Sequence, residues 1–201
     1  MRLVRTALLL CCVLFFITCR TKRDVMKTRD HHADSRWTAI DSLQRIGQFA
    51  TALERTDALL AEARAAGDWR TEYRAWRYRQ LFVLATGGEV DSVLHGMEER
   101  AGAAPVPLKQ LLHSAVAAGW WQRYQNDRWR ILDRTELAAP SAGPDTWTQR
   151  TYLDKVVAHY RASLEPADTL LQLPVGELGD LLFDAHTARA LRPTVFDVLA
   201  H

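Results

Sequence analysis

The sequence predicts an all-α protein of stacked helical hairpins, and three observations carry that prediction. From Trp37 onward apolar residues recur at helical spacing almost without interruption. No stretch alternates apolar and polar residues as a half-buried strand does. Gly47, Gly67 and the Gly87-Gly88 pair interrupt the pattern after lengths suited to one helix each.

The elements follow in order. Trp37, Ile40 and Leu43 form a stripe up to Gly47, and Phe49, Ala52, Leu53, Thr56, Leu60 and Ala63 form a second up to Gly67. Asp68 has the short acceptor side chain of an N-cap, with Glu72 in the first turn of a helix running from Trp69 to about Ala85. Trp69, Tyr73 and Trp76 lie on one face of it while Ala75, Tyr78, Phe82 and Ala85 lie on another, as expected of a helix covered on two sides. Val90, Val93, Leu94 and Met97 open a fourth helix that ends near the AGAAPVP stretch at 101–107. Leu108, Leu111, Leu112, Ala115, Val116, Gly119 and Trp120 give the cleanest stripe of all.

Beyond it, ELAAPSAGPD at 136–145 has the composition of a loop, with Asp145 or Thr146 as a cap for the next helix. That helix places Leu153, Val156, Val157, Tyr160 and Leu164 at core spacing, and Glu165-Pro166 stops it. Another is expected to begin at Pro174 and to bury Leu178, Leu181 and Leu182. Pro193 and Thr194 start a last helix that looks truncated at His201.

The segment after Gly47 reads G-x-F-x-x-A-L and resembles the turn and second-helix start of a tetratricopeptide-type repeat, with a looser echo at Gly88. Glycine permits the turn, the aromatic packs back, and the small Ala52 lets two backbones approach. The resemblance implies a repeat-like array.

The start of the chain is of another kind. Arg2 and Arg5 precede ALLLCCVLFFI, eleven apolar residues from Ala7 to Ile17, and Cys19 follows. A membrane-spanning helix needs roughly 20, whereas a signal core needs fewer. This start resembles a bacterial lipoprotein signal peptide, which implies cleavage, lipidation of Cys19 and a place in the cell envelope, on the periplasmic or outer side of a bacterial membrane. Phe16 and Thr18 stand where such signals carry leucine and a small residue. The alternative is an uncleaved anchor held by Arg20, Lys22 and Arg23. Residues 20–33 are polar and aperiodic and read as a flexible tether, leaving 34–201 as the helical domain. His31 and His32 lie in the tether without further ligands at metal-binding spacing.

Charge and cysteine usage exclude several classes. The chain has 26 basic and 24 acidic residues, and Arg2 and Arg5 are the whole excess, so nothing beyond the leader points to nucleic acid. Trp120, Trp121, Tyr124 and Trp129 interleave with Arg123, Arg128 and Arg130 as in a stacking platform. The better reading puts three of these aromatics in a core and pairs the arginines with Asp127 and Asp133. All three cysteines fall within the first nineteen residues, so residues 20–201 hold no disulfide, thiolate site or cysteine nucleophile.

Catalytic signatures are missing too. The sequence contains no H-E-x-x-H, G-x-S-x-G, S-x-x-K or G-x-x-x-x-G-K. His95, His113, His159, His186 and His201 are scattered through helices, and His113 reads as a satisfied or half-exposed helix residue. Carboxylates are paired at Glu98-Glu99 and at Asp180 with Asp184; the second pair, four apart on one helix face, repels mildly and reads as facing water. The expectation is a protein that is not an enzyme and carries no cofactor or metal.

Two stretches carry a family likeness. YQNDRWRILDRT, Tyr124 to Thr135, and LRPTVFDVLAH, Leu191 to His201, resemble the helical N-terminal region of large bacterial alpha-2-macroglobulin-like surface lipoproteins, and the tryptophan-rich helices from Trp37 to Trp76 fit the same region. The resemblance implies a lipid-anchored helical base of a protease-inhibiting or envelope-defence protein, with an unidentified protease or other protein as partner. The Cys-Gly-Glu-Gln thioester by which members of the wider family trap proteases does not occur in the 201 residues. The chain is therefore expected to be a fragment that keeps the anchor. The alternative is a freestanding helical-repeat lipoprotein that binds a peptide or envelope protein.

Overall fold

The computed structural model describes residues 35–134, 143–181 and 191–201, and every regular element among them is helical, with one isolated antiparallel bridge between Pro174 and Thr194. The signal segment, Cys19, the tether with His31 and His32, residues 135–142 of the loop, and Leu182, Asp184 and His186 lie outside the described residues. The described residues fall into two compact units, divided between Ala52 and Leu53. The described part of the first holds helix α1 (35–45), with Trp37 and Ile40 buried, and the first turn of α2 (Phe49–Ala66).

Helices α1, α2 and α3 (Trp69–Ala85) end in the same way. Gly47, Gly67 and Gly87 have φ of 77°, 65° and 75°, the left-handed conformation that costs a side chain energy and glycine almost nothing. In each, the glycine N–H donates to the carbonyl three residues back, and the next N–H donates to the carbonyl five back. These pairs are Gly47 to Gln44 and Gln48 to Leu43, Gly67 to Arg64 and Asp68 to Ala63, and Gly87 to Leu84 and Gly88 to Val83. This Schellman closure satisfies carbonyls that a helix end leaves without partners. Asp68 then caps α3 as expected, its Oδ1 accepting from the Thr71 N–H at 3.2 Å.

The second unit grows by adding each helix to its predecessor. α3 packs on α4 (Val90–Ala103), α4 on α5 (Leu108–Leu132), and α5 on α6 (Gln149–Ser163). α3 is covered on two faces, with Ala75, Trp76 and Phe82 buried and Trp69 and Tyr73 packed against a separate cluster further along the chain. Glu72, expected merely to favour the helix start, is 1% exposed and accepts from Arg100 Nε at 2.6 Å and Nη2 at 3.0 Å, with Arg64 Nε at 3.2 Å. It clamps α3 to α4.

α4 crosses α5 at Gly119. A Cβ built there would lie 2.3 Å from Leu94 Cδ2 and 3.1 Å from Cδ1, and Leu94 is fully buried. Gly119→Ala is expected to destabilise the fold by about 1–2 kcal/mol in urea unfolding, the overpacking outweighing the better helix propensity of alanine. Unchanged or raised stability would show that the crossing can relax.

Three expectations are corrected in the C-terminal third. Pro144–Thr146 forms a 3-10 turn, and the cap of α6 is Thr148, whose hydroxyl accepts from the Thr151 N–H, not Asp145 or Thr146. The buried side of α6 carries Tyr152, Val156 and Ser163, while Leu153, Val157 and Tyr160 are 36%, 44% and 38% exposed. Glu165-Pro166 does end α6, with the Glu165 carbonyl accepting from buried Gln110 at 2.6 Å, but helix α7 (Ala167–Gln172) begins straight after. The segment expected to begin at Pro174 is the 3-10 stretch Val175–Leu181, kinked at Gly179, and α8 (Val195–Leu199) follows. Leu111, Leu170, Leu178 and Val195 make a small core there, tied by Val175 N–H to Pro193 O and Val195 N–H to Leu173 O at 2.8 and 2.9 Å.

Candidate functional site

The side chains with the richest chemistry converge where α4, α5 and α6 meet. Each helix contributes residues from one face: His95 and Glu98 are three apart on α4, His113 and Trp120 seven apart on α5, and Lys155 and His159 four apart on α6. Trp147, just after the 3-10 turn, closes the group over Trp120, their ring centroids 4.9 Å apart.

Glu98 is the centre. Its Oε1 accepts from Lys155 Nζ at 2.8 Å, His159 Nε2 at 2.9 Å and Trp120 Nε1 at 2.9 Å, and its Oε2 lies 3.2 Å from His95 Nδ1. Burial pushes the carboxyl upward, but hydrogen bonds from His159, Lys155 and Trp120 and the Lys155 charge outweigh it, so Glu98 is held far below the usual carboxylate range. The ammonium of Lys155 also lies 5.7 Å from the Trp120 ring centroid and 5.2 Å from that of Trp147, where the ring faces favour a cation. Behind His159, its Nδ1 stands 2.9 Å from His113 Nδ1, so carboxylate and two imidazoles run in a line from α4 through α6 to α5.

A general acid needs a carboxyl with a raised pKa, and Glu98 is shifted the other way. Among the described residues no three histidine, cysteine or carboxylate side chains converge as a metal-ligand set.

Beside this cluster, sharing His95 with it, runs an open groove of about 750 Å³ between α3, α4, α5 and the Pro144 turn. Leu81 and Leu84 are exposed on its α3 side, and Arg123 stands on its α5 side. That guanidinium is spent on three carboxylates: Asp91 at 3.4 Å, Asp145 at 3.0 Å and Asp127 one turn further along α5.

The expectations for individual residues divide accordingly. His113 is half-buried, as expected, but its partner is His159, which the sequence left unconnected. Of the Glu98-Glu99 pair, Glu98 is the hub of the cluster, a role the sequence did not single out, while Glu99 is exposed. Only two of the four aromatics of α5, Trp120 and Tyr124, enter the core; Trp121 and Trp129 are 39% and 71% exposed. Arg123 does pair with Asp127, whereas Arg130 lies over the Trp129 ring at 5.9 Å. The sequence signal for the cluster was the pairing of His95 with Glu98 and of Lys155 with His159 at helical spacing, which no repeating motif singled out. No helix among the described residues is long and apolar enough to cross a membrane. Comparison with known proteins finds no matching family model, curated protein or solved structure.

Proposed function

We propose that this chain is the membrane-tethered helical N-terminal segment of an alpha-2-macroglobulin-like surface protein, a non-catalytic base associated with protease inhibition or defence of the cell envelope. The observation that carries this reading is the likeness of YQNDRWRILDRT and LRPTVFDVLAH to that family. Support comes from where those stretches fall. Tyr124 to Leu132 of the first forms the end of α5 and buries Tyr124 and Ile131; the second contains α8, whose capping box joins Thr194 to Asp197 and whose Val195 is fully buried. For the non-catalytic part, the support is limited to Glu98, whose carboxyl is held low by its donors and is not poised as a general acid.

The coding sequence downstream tests the proposal. Macroglobulin-type strand modules in the following frame are the expected result, and a stop followed by an unrelated gene would overturn it. That second outcome would favour a freestanding helical lipoprotein that binds a peptide or envelope protein, a reading supported by the groove beside α3. Anchoring is tested separately. Expressed in bacteria with a labelled fatty acid, the unaltered chain should take up label and Cys19→Ser should take up none; equal labelling would rule out attachment at Cys19.

A further inference from the structure

The facing imidazoles of α5 and α6 impose a limit on how many protons the seam between those helices can hold. With His113 Nδ1 and His159 Nδ1 2.9 Å apart, one hydrogen fits between them and two do not. In the neutral arrangement His113 Nδ1–H donates to His159 Nδ1, and His159 donates its other hydrogen from Nε2 to Glu98. A first added proton is easily housed. His159 then donates from both nitrogens, its charge meets the Glu98 carboxylate, and His113 accepts at Nδ1 while carrying its own hydrogen on Nε2.

We propose that the His113–His159 pair is an acid-sensitive latch, which holds α6 against α5 while the two rings carry at most one extra proton and loosens that seam when both are charged. A second proton would turn two N–H groups head-on. The groups facing the pair make it worse: Lys109 on α5 and Lys155 on α6 are cationic, and the facing anion, Glu98 of α4, already takes Lys155, His159, Trp120 and His95. Burial first, then the charges of His159 and Lys109, lower the His113 pKa below its ordinary 6.5, against an opposing pull from Glu98. In an opened seam the same ring regains its ordinary value. A lowered value in the closed form means that the latch stabilises fully above about pH 6.5 and that its contribution falls as the pH drops below that point. Opening would uncover Tyr152 and Val156 on the inner face of α6.

Hydrogen exchange of the α6 amides in the full-length chain, held in detergent micelles and corrected for the intrinsic pH dependence of exchange, tests the latch. Between pH 7.5 and 5.5 protection is expected to fall several-fold, because the closed seam holds the ring below its ordinary value. His113→Gln, whose amide can still donate to His159 Nδ1, should lose less than about twofold over the same range. Undiminished protection in the unaltered chain, or an equal loss in the variant, would overturn the proposal. Nitrogen NMR of the His113 ring gives a reading that needs no substitution. At pH 6 the ring should carry less charge than the same ring in the urea-unfolded chain; equal charging in both states would sink the latch.

Discussion

Trp120→Ala is expected to cost the fold about 3–5 kcal/mol, the range for removing a fully buried large aromatic. Trp120 is 0% exposed, touches the rings of Trp147 and Tyr152 at centroid distances of 4.9 and 6.4 Å, and donates its indole hydrogen to Glu98. Truncation leaves a cavity between α4, α5 and α6, removes one of the four donors to the carboxylate, and strips the Lys155 ammonium of one of its two ring faces. In a domain of this size such a loss lowers the melting temperature by roughly 10 °C. Trp120→Phe keeps most of the volume and loses the donor, so it should cost about half as much. Thermal and urea unfolding followed by far-ultraviolet dichroism measure both; a Trp120→Ala loss under 1 kcal/mol would mean that neighbouring side chains collapse into the space.

Glu98→Ala should cost about 3 kcal/mol, near the low end for breaking a largely buried ion pair, because His159, Lys155 and Trp120 would then face one another without their common acceptor. Glu98→Gln retains an acceptor oxygen without the charge and should cost less. The pH dependence has a definite sign. Since the folded carboxyl lies below its ordinary value of 4.5, its contribution is fully present above about pH 4.5 and is lost only as the pH falls from there towards the folded value. The stability gap between wild type and Glu98→Ala should therefore survive from neutral pH to pH 5. A gap that closes by pH 5 would show that the carboxylate is not held in this way.

What the sequence made legible was local. Turn glycines at 47, 67 and 87, the Asp68 cap, the start of α5 at Leu108 and the two-sided burial of α3 depend on residues within a few positions of one another, and each is where the sequence placed it. On α6 the sequence placed Val156 correctly inside but put 153, 157 and 160 there too, for a physical reason. Residues 153, 157, 160 and 164 make a more apolar stripe than 152, 156, 159 and 163, yet the second set faces inward, because His159 and Ser163 are satisfied there by hydrogen bonds to Glu98 and to the Tyr160 carbonyl. α7 has only six residues, too few for a periodic pattern to register. The cluster around Glu98 stayed hidden because its members belong to three helices between positions 95 and 159, and helical period says which residues share a face without saying which faces meet.

The three Schellman closures fall 20 residues apart, at 47, 67 and 87. Each helix between them is thereby measured to fixed length at both ends, and adding or deleting one residue inside α3 would rotate everything beyond the change by about 100° around the axis. Trp76 and Phe82 could then no longer both point inward while Gly87 still reversed the chain at the right place. Substitutions on the outer faces of this stretch should therefore be far easier to accommodate during divergence than changes of length, which belong in the segments between α5 and α6 and between α7 and α8.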